Sequence, residues 1–377
     1  MGVLASIVVN NFNYARFLGA AIDSALTQTY APLEVVVVDD GSTDTSMSVI
    51  ASYGERIKAV PKANGGMASA LNEGFRACAG EVVIFLDSDD VLFPTAAANA
   101  VALLRDAGVA KVHWPLREVD ADNRETGRLV PLRDLPEGDV RDLLIARGPM
   151  GAPGAPTSGN AWSRRFLERV LPMPERSLRQ HADSYLNTLA GLYGSLAKIS
   201  EPQGAYRVHG GNDYASQPRA DRLRRNLHMY HYRCRVLSAH LRGSGIEVHP
   251  AVWKTGIRYY HRIERETAVL RQIEDVVPAG ERFILVDDGG FGPGNMIAGR
   301  QHVRFPSDSG DARGLPVRDT AAIQALERLH ADGAGFIAFV ATALAWLREL
   351  QEFRHHLDTC HSLELETDLL VVFRLGA

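Results

Sequence analysis

The sequence contains few of the residues that build covalent cross-links. Three cysteines, Cys78, Cys234 and Cys360, occur among 377 residues, which is an odd number at wide spacing. This spacing favours neither a disulfide framework nor a zinc cluster. It is typical of buried thiols in a protein from a reducing compartment.

Long apolar runs and a strong charge of one sign are also missing. The longest apolar stretch, near residues 336–347, is too short to span a bilayer. The first residues pass almost directly into a strand-like run, Leu4–Val9, without the basic segment and cleavage site of a secretion signal. The formal net charge of −4 argues against a dedicated nucleic-acid binder. We therefore expect a cytoplasmic protein, with peripheral contact at the inner face of a membrane as an open option.

The first half of the chain does contain a regular alternation of strand-like and helix-like segments. Continuous apolar runs between helical patterns indicate an α/β fold with a doubly wound, mostly parallel sheet that is covered on both faces. The predicted strands are Leu4–Val9, Leu33–Val38, Arg56–Val60 and Val82–Leu86, and the predicted helices are Ala15–Thr27, Asp44–Tyr53 and Gly66–Ala77.

The remainder of the chain changes in composition. We predict residues 1–215 as the first α/β domain, 216–275 as a basic helical connecting region and 276–377 as a small C-terminal α/β domain. The helical patterns of the last domain are Thr320–Ala331 and Ala343–Leu357. Residues 219–271 hold 12 Lys/Arg against 4 Asp/Glu, a local balance of +8. A solvated basic face explains this region, and attachment to anionic lipid headgroups is the functional alternative.

Polar residues follow the predicted strands at their carboxyl ends, where parallel sheets bind ligands. These strand exits are Asn10–Tyr14, Asp39–Ser42 and Asp87–Asp90. Asp87 and Asp89 are two residues apart, so an extended backbone directs both carboxylates to the same side, where they can share one ion. Mg²⁺ and Mn²⁺ prefer such oxygen ligands and bridge them to phosphates. Asp90 is predicted to cap the helix near Pro94 or to support the other two carboxylates from behind.

Several blocks, in this order and spacing, resemble the family-2 glycosyltransferases. They are Ser6–Val9 with Asn13 and Tyr14, Ser24–Tyr30, Leu33–Asp44, Asn64–Gly74 and Gly80–Asp90, with weaker blocks as far as Asn212. The resemblance covers roughly residues 1–215 and implies the GT-A fold. It also implies an inverting, metal-dependent transfer of one sugar from a nucleotide diphosphate sugar, UDP-sugars first, to a hydroxyl acceptor. Surface-polysaccharide or glycoconjugate biosynthesis is the expected setting.

The resemblance assigns a nucleotide-binding role to residues of the first two strand exits. Phe12 or Tyr14 would stack on the base. Asp40 would accept a hydrogen bond from the base, and Asp39 would support the loop. Asn64 belongs to the same nucleotide-binding set. A plain turn is the structural alternative for the two aspartates.

The metal and phosphate side of the site is assigned in the same way. Asp89 would be the main protein ligand of Mn²⁺ or Mg²⁺, which neutralises the diphosphate leaving group. Asp87 would contact the ribose or the metal. His209 would complete the metal or diphosphate shell, and Arg207 would pair with phosphate on the donor side. A single histidine is also common as a structural residue.

A general base and an acceptor-side strand complete the expected site. Asp183 would remove the proton from the acceptor hydroxyl, with His181 as the lesser candidate. The structural alternative for Asp183 is an acid that favours the helix dipole. Gly159 would permit close approach, Asn160 belongs to the same acceptor or donor-sugar segment, and Trp162 would either stack on a sugar or fill the core.

Two other function classes share parts of this pattern. A sugar-nucleotidyltransferase would need a glycine-rich, basic loop after the first strand, where Asn10–Tyr14 stands instead. A non-catalytic sugar-nucleotide-binding module would usually lose either the metal acids or the base. The Gln-x-x-Arg-Trp segment of processive relatives is absent from the sequence, which favours single-sugar addition. A glycan or lipid-linked acceptor and a homo-oligomer are compatible with the sequence. The glycine-rich segment Gly289–Gly294 lacks a Walker lysine and is predicted to be a loop.

Overall fold

The computed structural model of the chain describes residues 2–210, 219–255, 257–287, 296–297, 299–305 and 318–376. Asn212, which closes the resemblance, and the predicted loop Gly289–Gly294 lie outside the described residues. The chain divides into two compact units, Met1–Asn212 with His231–Thr255 and Asp213–Tyr230 with Gly256–Ala377.

Strands of the first unit form two sheets. In chain order they are β1 (Ala5–Asn11), β2 (Leu33–Asp39), β3 (Lys58–Pro61), β4 (Val82–Asp87), β5 (Val91–Leu92), β6 (Val109–His113), β7 (Leu116–Val119), β8 (Glu125–Val130), β9 (Asn160–Ser163), β10 (Ser195–Lys198) and β11 (Gly204–Arg207). The larger sheet has the order β10-β6-β9-β4-β1-β2-β3, and the smaller one has the order β5-β11-β7-β8. In the larger sheet only β9 runs antiparallel to its neighbours. The predicted α/β class with a mostly parallel sheet is confirmed.

Helices cover this sheet. They are α1 (Ala15–Leu26), α2 (Ser46–Ser52), α3 (Met67–Ala77), α4 (Ala96–Leu104), α5 (Arg141–Arg147), α6 (Arg164–Val170) and α7 (Ala182–Tyr193). Successive side chains of β1 point to opposite faces of the sheet. Ile7 and Val9 share one core with Leu18 of α1, whereas Val8 meets Gly74 of α3. The continuous apolar run of β1 is thus buried from both sides, as a doubly wound sheet requires.

Two further helices follow in chain order. They are α8 (Arg219–Gly243) and α9 (Arg258–Val276). Residues 216–275, predicted as one connecting region, are shared between the two compact units, because His231–Thr255 belongs to the first and the flanking parts belong to the second. The predicted domain limits at 215 and 275 stay a prediction. Among the described residues, no helix combines the length and apolar character that a membrane span requires.

The second unit is an α/β domain with its own sheet. Its strands are β12 (Arg282–Val286), β13 (Met296–Ile297), β14 (Arg300–Arg304), β15 (Phe336–Val340), β16 (Ser362–Glu366) and β17 (Leu370–Arg374). Their order is β13-β14-β12-β15-β17-β16. The further helices are α10 (Asp319–Ala331), α11 (Leu344–Glu349) and α12 (Gln351–Cys360).

One predicted helix of this unit is interrupted. The sequence pattern predicts a single helix from Ala343 to Leu357, but Leu350 has ψ 81° and separates α11 from α12. Asp319 accepts a hydrogen bond from the backbone nitrogen of Phe353 at 2.8 Å and so occupies one of the free donors at the start of α12. The sequence pattern does not contain this long-range cap.

Candidate active site

Strand register brings the polar exits together at one edge of the larger sheet. Asn11 of β1 is paired with Asp39 of β2, and Asn10 is paired with Asp87 of β4. Three neighbouring parallel strands therefore end in a row of amides and carboxylates. This edge is where an open α/β sheet binds its ligand.

Asp39 holds the β2 exit in shape. Its carboxylate accepts hydrogen bonds from the backbone nitrogen of Ser42 at 2.9 Å, from Ser42 Oγ at 2.6 Å and from Asn11 Nδ2 at 2.8 Å. The side chain is buried, so these contacts replace water around the charge. The predicted supporting role of Asp39 agrees with this placement.

Asp40 binds protein groups with both carboxylate oxygens. Lys62 Nζ lies 2.6 Å from Oδ1, and the backbone nitrogens of Gly65 and Gly66 donate to the carboxylate at 2.9 and 2.7 Å. Asn64 Nδ2 donates to the Asp40 carbonyl at 2.9 Å. Asp40 and Asn64 thus fix the loop at residues 62–66. Base recognition by Asp40 stays a prediction, and the arrangement adds Lys62, which the sequence pattern did not single out.

The two aromatic candidates at the β1 exit lie in different surroundings. Phe12 is 43% exposed, as a base-stacking side chain needs to be. Tyr14 meets the ring of His209 edge-on, with centroids 5.4 Å apart. His209 also lies against Phe17 at 4.7 Å. Of the two, Phe12 offers the free aromatic face.

Asp87 is held by Asn10 of β1 and by Ser158, which lies just before β9. Asn10 Nδ2 donates to Asp87 Oδ1 at 2.9 Å, and Ser158 Oγ accepts from the Asp87 backbone nitrogen at 3.1 Å. Burial raises the pKa of Asp87 to about 7, and the charge of Asp89 acts in the same direction. A nearby cation would reverse this penalty, which makes the carboxylate a suitable oxygen donor.

Asp89 and His209 face each other. Asp89 Oδ2 lies 3.2 Å from His209 Nε2, and their side chains are 14% and 7% exposed. A carboxylate oxygen, which is the donor type that suits Mn²⁺, lies beside an imidazole nitrogen in one shielded place. The residues present therefore fit the divalent cation that the resemblance implies.

Asp90 supports the segment that carries Asp89 through hydrogen bonds of its own side chain. The side chain is buried, and it accepts hydrogen bonds from Ser158 Oγ at 2.7 Å and from the Arg207 backbone nitrogen at 2.9 Å. Burial, followed by the charges of Asp89 and Asp87, raises the pKa of Asp90 well above its usual range. The predicted helix cap is wrong, because Thr95 stands at the N-cap position of α4. The supporting alternative describes the contacts.

Asp183 lies in the first turn of α7, as predicted. Burial raises the pKa of Asp183, and the positive charges of His181, Arg233 and Lys111 oppose that rise. The negative charge of Asp183 in turn raises the pKa of Asp87. The charge of Asp183 therefore reaches Asp87 electrostatically.

Comparisons with known proteins identify a family that the first part of the chain matches. Residues 6–168 match the family described as glycosyl transferase family 2. These residues are a family-2 glycosyltransferase domain. An uncharacterized glycosyltransferase of Nostoc sp. is 35% identical over 215 residues, which span 56% of this chain and 66% of that protein. A chondroitin synthase of Pasteurella multocida is 39% identical over 123 residues, 32% of this chain and 13% of that protein. The structure of S. aureus TarS 1-349 with UDP has 19% identity and a TM-score of 0.47, over 72% of each chain.

Arg207, which follows the matched residues 6–168 in the chain, differs in placement from the predicted phosphate contact. Its side chain is buried; Nε donates to the Asp89 carbonyl at 2.8 Å, and a terminal nitrogen donates to Asn123 Oδ1 at 2.6 Å. The guanidinium also lies over the Phe17 ring at 4.9 Å. These contacts fasten the Asp87–Asp90 turn. Phosphate binding by Arg207 stays a prediction that would require it to exchange partners.

The acceptor-side strand of the domain is largely internal. A Cβ on Gly159 would lie 2.9 Å from the Trp114 carbonyl, so the close approach that glycine permits is to the protein backbone. Asn160 Nδ2 donates to the Pro156 carbonyl at 2.6 Å. Trp162 is 1% exposed and stacks on Phe166 at 5.6 Å. For Trp162 the structure favours the core alternative; sugar contact by these residues stays a prediction.

The glycosyltransferase domain contains one buried cation that the sequence pattern did not single out. Lys111 on β6 is 1% exposed, hydrogen-bonds Asn187 and lies over the Trp162 ring at 5.3 Å. Burial lowers the pKa of Lys111 to about 7, and the charge of Asp183 opposes that shift. A lysine inside the apolar run Val109–Val112 is the signal that could have identified it, since lysine is rarely buried unless paired.

Proposed function

We propose that this family-2 domain transfers one sugar from a nucleotide diphosphate sugar to an acceptor hydroxyl, with inversion at the anomeric carbon. The observation that carries the proposal is the shielded Asp89–His209 pair, 3.2 Å apart, at the same sheet edge as Asp87. Asp183 influences Asp87 electrostatically from α7. Donor-binding and proton-accepting groups are thus available in one unit of the fold.

The donor end uses the exits of β1 and β2. Phe12 offers an exposed ring for stacking on the base. Asp40, which holds the loop at residues 62–66 through the backbone nitrogens of Gly65 and Gly66, would accept a hydrogen bond from the base. UDP-sugars are the first choice of donor, because the resemblance to the family implies them.

Asp89 and His209 would hold Mn²⁺ or Mg²⁺, with Asp87 at the ribose or at the metal. When bound, the cation neutralises the charge that develops on the departing diphosphate. Asp90 and Arg207 keep the Asp89 segment in place through the Arg207 backbone nitrogen and the Asp89 carbonyl. The metal ligands are therefore oriented by a buried network before the donor arrives.

Asp183 would act as the general base. One of its carboxylate oxygens accepts the proton of the acceptor hydroxyl while that oxygen bonds to the anomeric carbon, opposite the leaving diphosphate. A raised pKa brings a carboxylate closer to the operating pH and makes it a better proton acceptor. His181 is the lesser candidate for the same step.

The acceptor is proposed to be a glycan or a lipid-linked hydroxyl in surface-polysaccharide or glycoconjugate biosynthesis. One relative is named a chondroitin synthase, which is consistent with a glycan acceptor. Cytoplasmic location with peripheral contact at the inner membrane face, through the basic 219–271 region, belongs to the same proposal. We also propose that the chain forms a homo-oligomer.

The test measures nucleotide diphosphate release by the purified full chain over a panel of sugar nucleotides, with and without Mn²⁺. Asp89→Ala should lower Mn²⁺-dependent release by about 100-fold or more, since it removes a cation ligand. The matched control is Asp142→Ala, which removes an exposed acid from α5. Full release by Asp89→Ala would overturn the metal assignment. Donor binding without any turnover would identify a binding module instead.

A further inference from the structure

A cluster of histidine, glutamate and cysteine side chains lies in the second unit, and the proposed transfer reaction does not use it. Glu327 and His330 are three residues apart on α10, and His356 and Cys360 are four residues apart on α12. Residues at these spacings share a helix face. His361 follows α12 directly, before β16 begins. Two helices and a strand entry thus bring five metal-ligating side chains together.

Three of these side chains point at a common position. His356 Nε2 lies 2.7 Å from Glu327 Oε1, and His361 Nε2 lies 3.9 Å from the same oxygen. One ligand atom from each of the three residues lies within 4.8 Å of the others. Ligand atoms around a tetrahedral ion with bonds of about 2.0–2.2 Å lie about 3.3–3.6 Å apart, so modest side-chain movements would place these three atoms around one ion.

One buried nitrogen of the cluster makes no hydrogen bond within the described part of the chain. The His361 side chain is 5% exposed, and its Nε2 has no hydrogen-bond partner within the described part of the chain. Gly376 nitrogen donates to the other ring atom, Nδ1, at 3.4 Å, a long and weak hydrogen bond that the ring would give up when Nδ1 carries the hydrogen and Nε2 binds a cation. A proton shared by His356 and Glu327 satisfies the hydrogen-bonding capacity of those two side chains alone. A cation at the common position satisfies all three.

The surrounding residues orient the histidine rings. His330 Nδ1 lies 2.9 Å from the Ala334 carbonyl and therefore carries the hydrogen, which leaves Nε2 as the available nitrogen. The His330 and His361 rings are 6.2 Å apart. Cys360 Sγ lies 3.6 Å from His356 Nδ1. A histidine ligand commonly has its second nitrogen engaged in this way.

We propose that the second unit binds Zn²⁺, or a similar borderline transition-metal ion, through His356, His361 and Glu327. Imidazole and carboxylate donors suit Zn²⁺, whereas Mg²⁺ prefers oxygen ligands and retains its waters. A neighbouring side chain or water takes the fourth position. Because the ligands come from α10, α12 and the segment before β16, the ion ties these elements together and stabilises the unit.

The experiment uses the full chain without a polyhistidine tag, in the Asp89→Ala background, so that neither a tag nor the proposed catalytic metal site contributes. The protein is stripped with a chelator, incubated with Zn²⁺ and dialysed; bound zinc is then measured by elemental mass spectrometry. We expect one zinc ion per chain and a higher Tm with Zn²⁺ than with Mg²⁺. His361→Ala and His356→Ala should each weaken binding by about tenfold or more, the range expected for changes around a metal site.

His355→Ala is the matched control, because His355 is exposed and adjacent to His356 on α12. This variant should bind zinc like the parent. Glu327→Gln keeps the size of the side chain and should also weaken binding, which separates loss of a ligand from loss of the fold. Circular dichroism without metal checks that each variant is folded. If the parent retains no zinc, or if a folded His356→Ala/His361→Ala double variant retains it fully, the proposal is overturned.

Discussion

Asp183 shows how partial burial and neighbouring charges set the chemistry of a single residue. Burial raises the pKa of its carboxyl, while His181, Arg233 and Lys111 limit the rise. A carboxyl with a raised pKa takes up its proton at a higher pH than an ordinary aspartate. A base must be ionised to act, so its contribution is lost as the pH falls through the raised pKa.

Asp183→Asn keeps the shape of the side chain and removes the base. We expect kcat/KM for sugar transfer to fall by about 10²–10⁴-fold, with donor affinity nearly unchanged. The wild-type rate should decline towards acid pH, and the residual rate of the variant should not follow that decline. Transfer rates across a pH series and donor titrations measure both effects.

Asp142→Asn is the control for this change, because Asp142 is an exposed acid on α5. It should leave the pH profile as it is. If Asp183→Asn keeps the acidic decline and most of the rate, Asp183 is not the base. His181→Ala would then be the next variant to examine.

At the scale of elements, α3 lies unusually close to the central strands. A Cβ on Gly74 would stand 2.2 Å from Val8 Cγ1 and 3.2 Å from Val38 Cγ2. Glycine at this position therefore sets the distance between helix and sheet. Overpacking of such a contact forces the backbone or the valines to shift.

Gly74→Ala should lower the free energy of unfolding by about 1–3 kcal/mol, because the added methyl has no space. Gly19→Ala in α1 is the matched control. Its Cβ would meet only Tyr53 Oη, at 3.5 Å. Alanine favours the helix over glycine by up to about 1 kcal/mol, so this variant should be as stable or more stable.

Urea unfolding followed by far-UV circular dichroism compares the two glycine variants. Equal destabilisation would show that the α3–β1 contact is not limiting. The two variants should differ because Gly74 of α3 packs against side chains of two strands, whereas the effect at Gly19 is a property of one helix.

At the scale of the whole molecule, residues beyond 215 form part of the first unit and contact its earlier helices. Arg233 Nε donates to Thr188 Oγ1 at 2.7 Å, and another of its nitrogens donates to the Pro149 carbonyl at 2.9 Å. Trp253 is 1% exposed and donates to the Ile145 carbonyl at 2.8 Å. These residues support α5 and α7, and α7 carries Asp183.

A chain truncated after residue 255 should therefore keep donor hydrolysis. A chain truncated after residue 215 should be less stable by about 3 kcal/mol or more, because it loses a buried tryptophan. Thermal unfolding and nucleotide diphosphate release compare the two. In the full chain, Trp253→Ala should destabilise the first unit, while Val252→Ala, at a position 56% exposed, should not. Equal behaviour of both truncated chains would contradict this expectation.

Much of the first unit was predictable from local patterns. Strands Leu4–Val9 and Leu33–Val38 were expected because fully buried strands are continuous apolar runs, and β1 and β2 occupy these places. The break at Leu350 and the cap by Asp319 were not, since Asp319 is 34 residues from Phe353 in the chain. Capping by a distant side chain leaves no periodic signal.

By itself, the sequence determined the alternation of elements, the family blocks and the acidic exits of the strands. These features depend on residue type and short spacing, which local sterics and hydrophobicity convert directly into structure. Only the tertiary structure decided what each polar residue does at the sheet edge. Asp90 lies 68 residues from Ser158 and 117 from Arg207 in the chain, and both supply its hydrogen bonds. Burial, pKa and hydrogen-bond partners depend on such distant neighbours, because the environment of a charge exists only after the chain has folded.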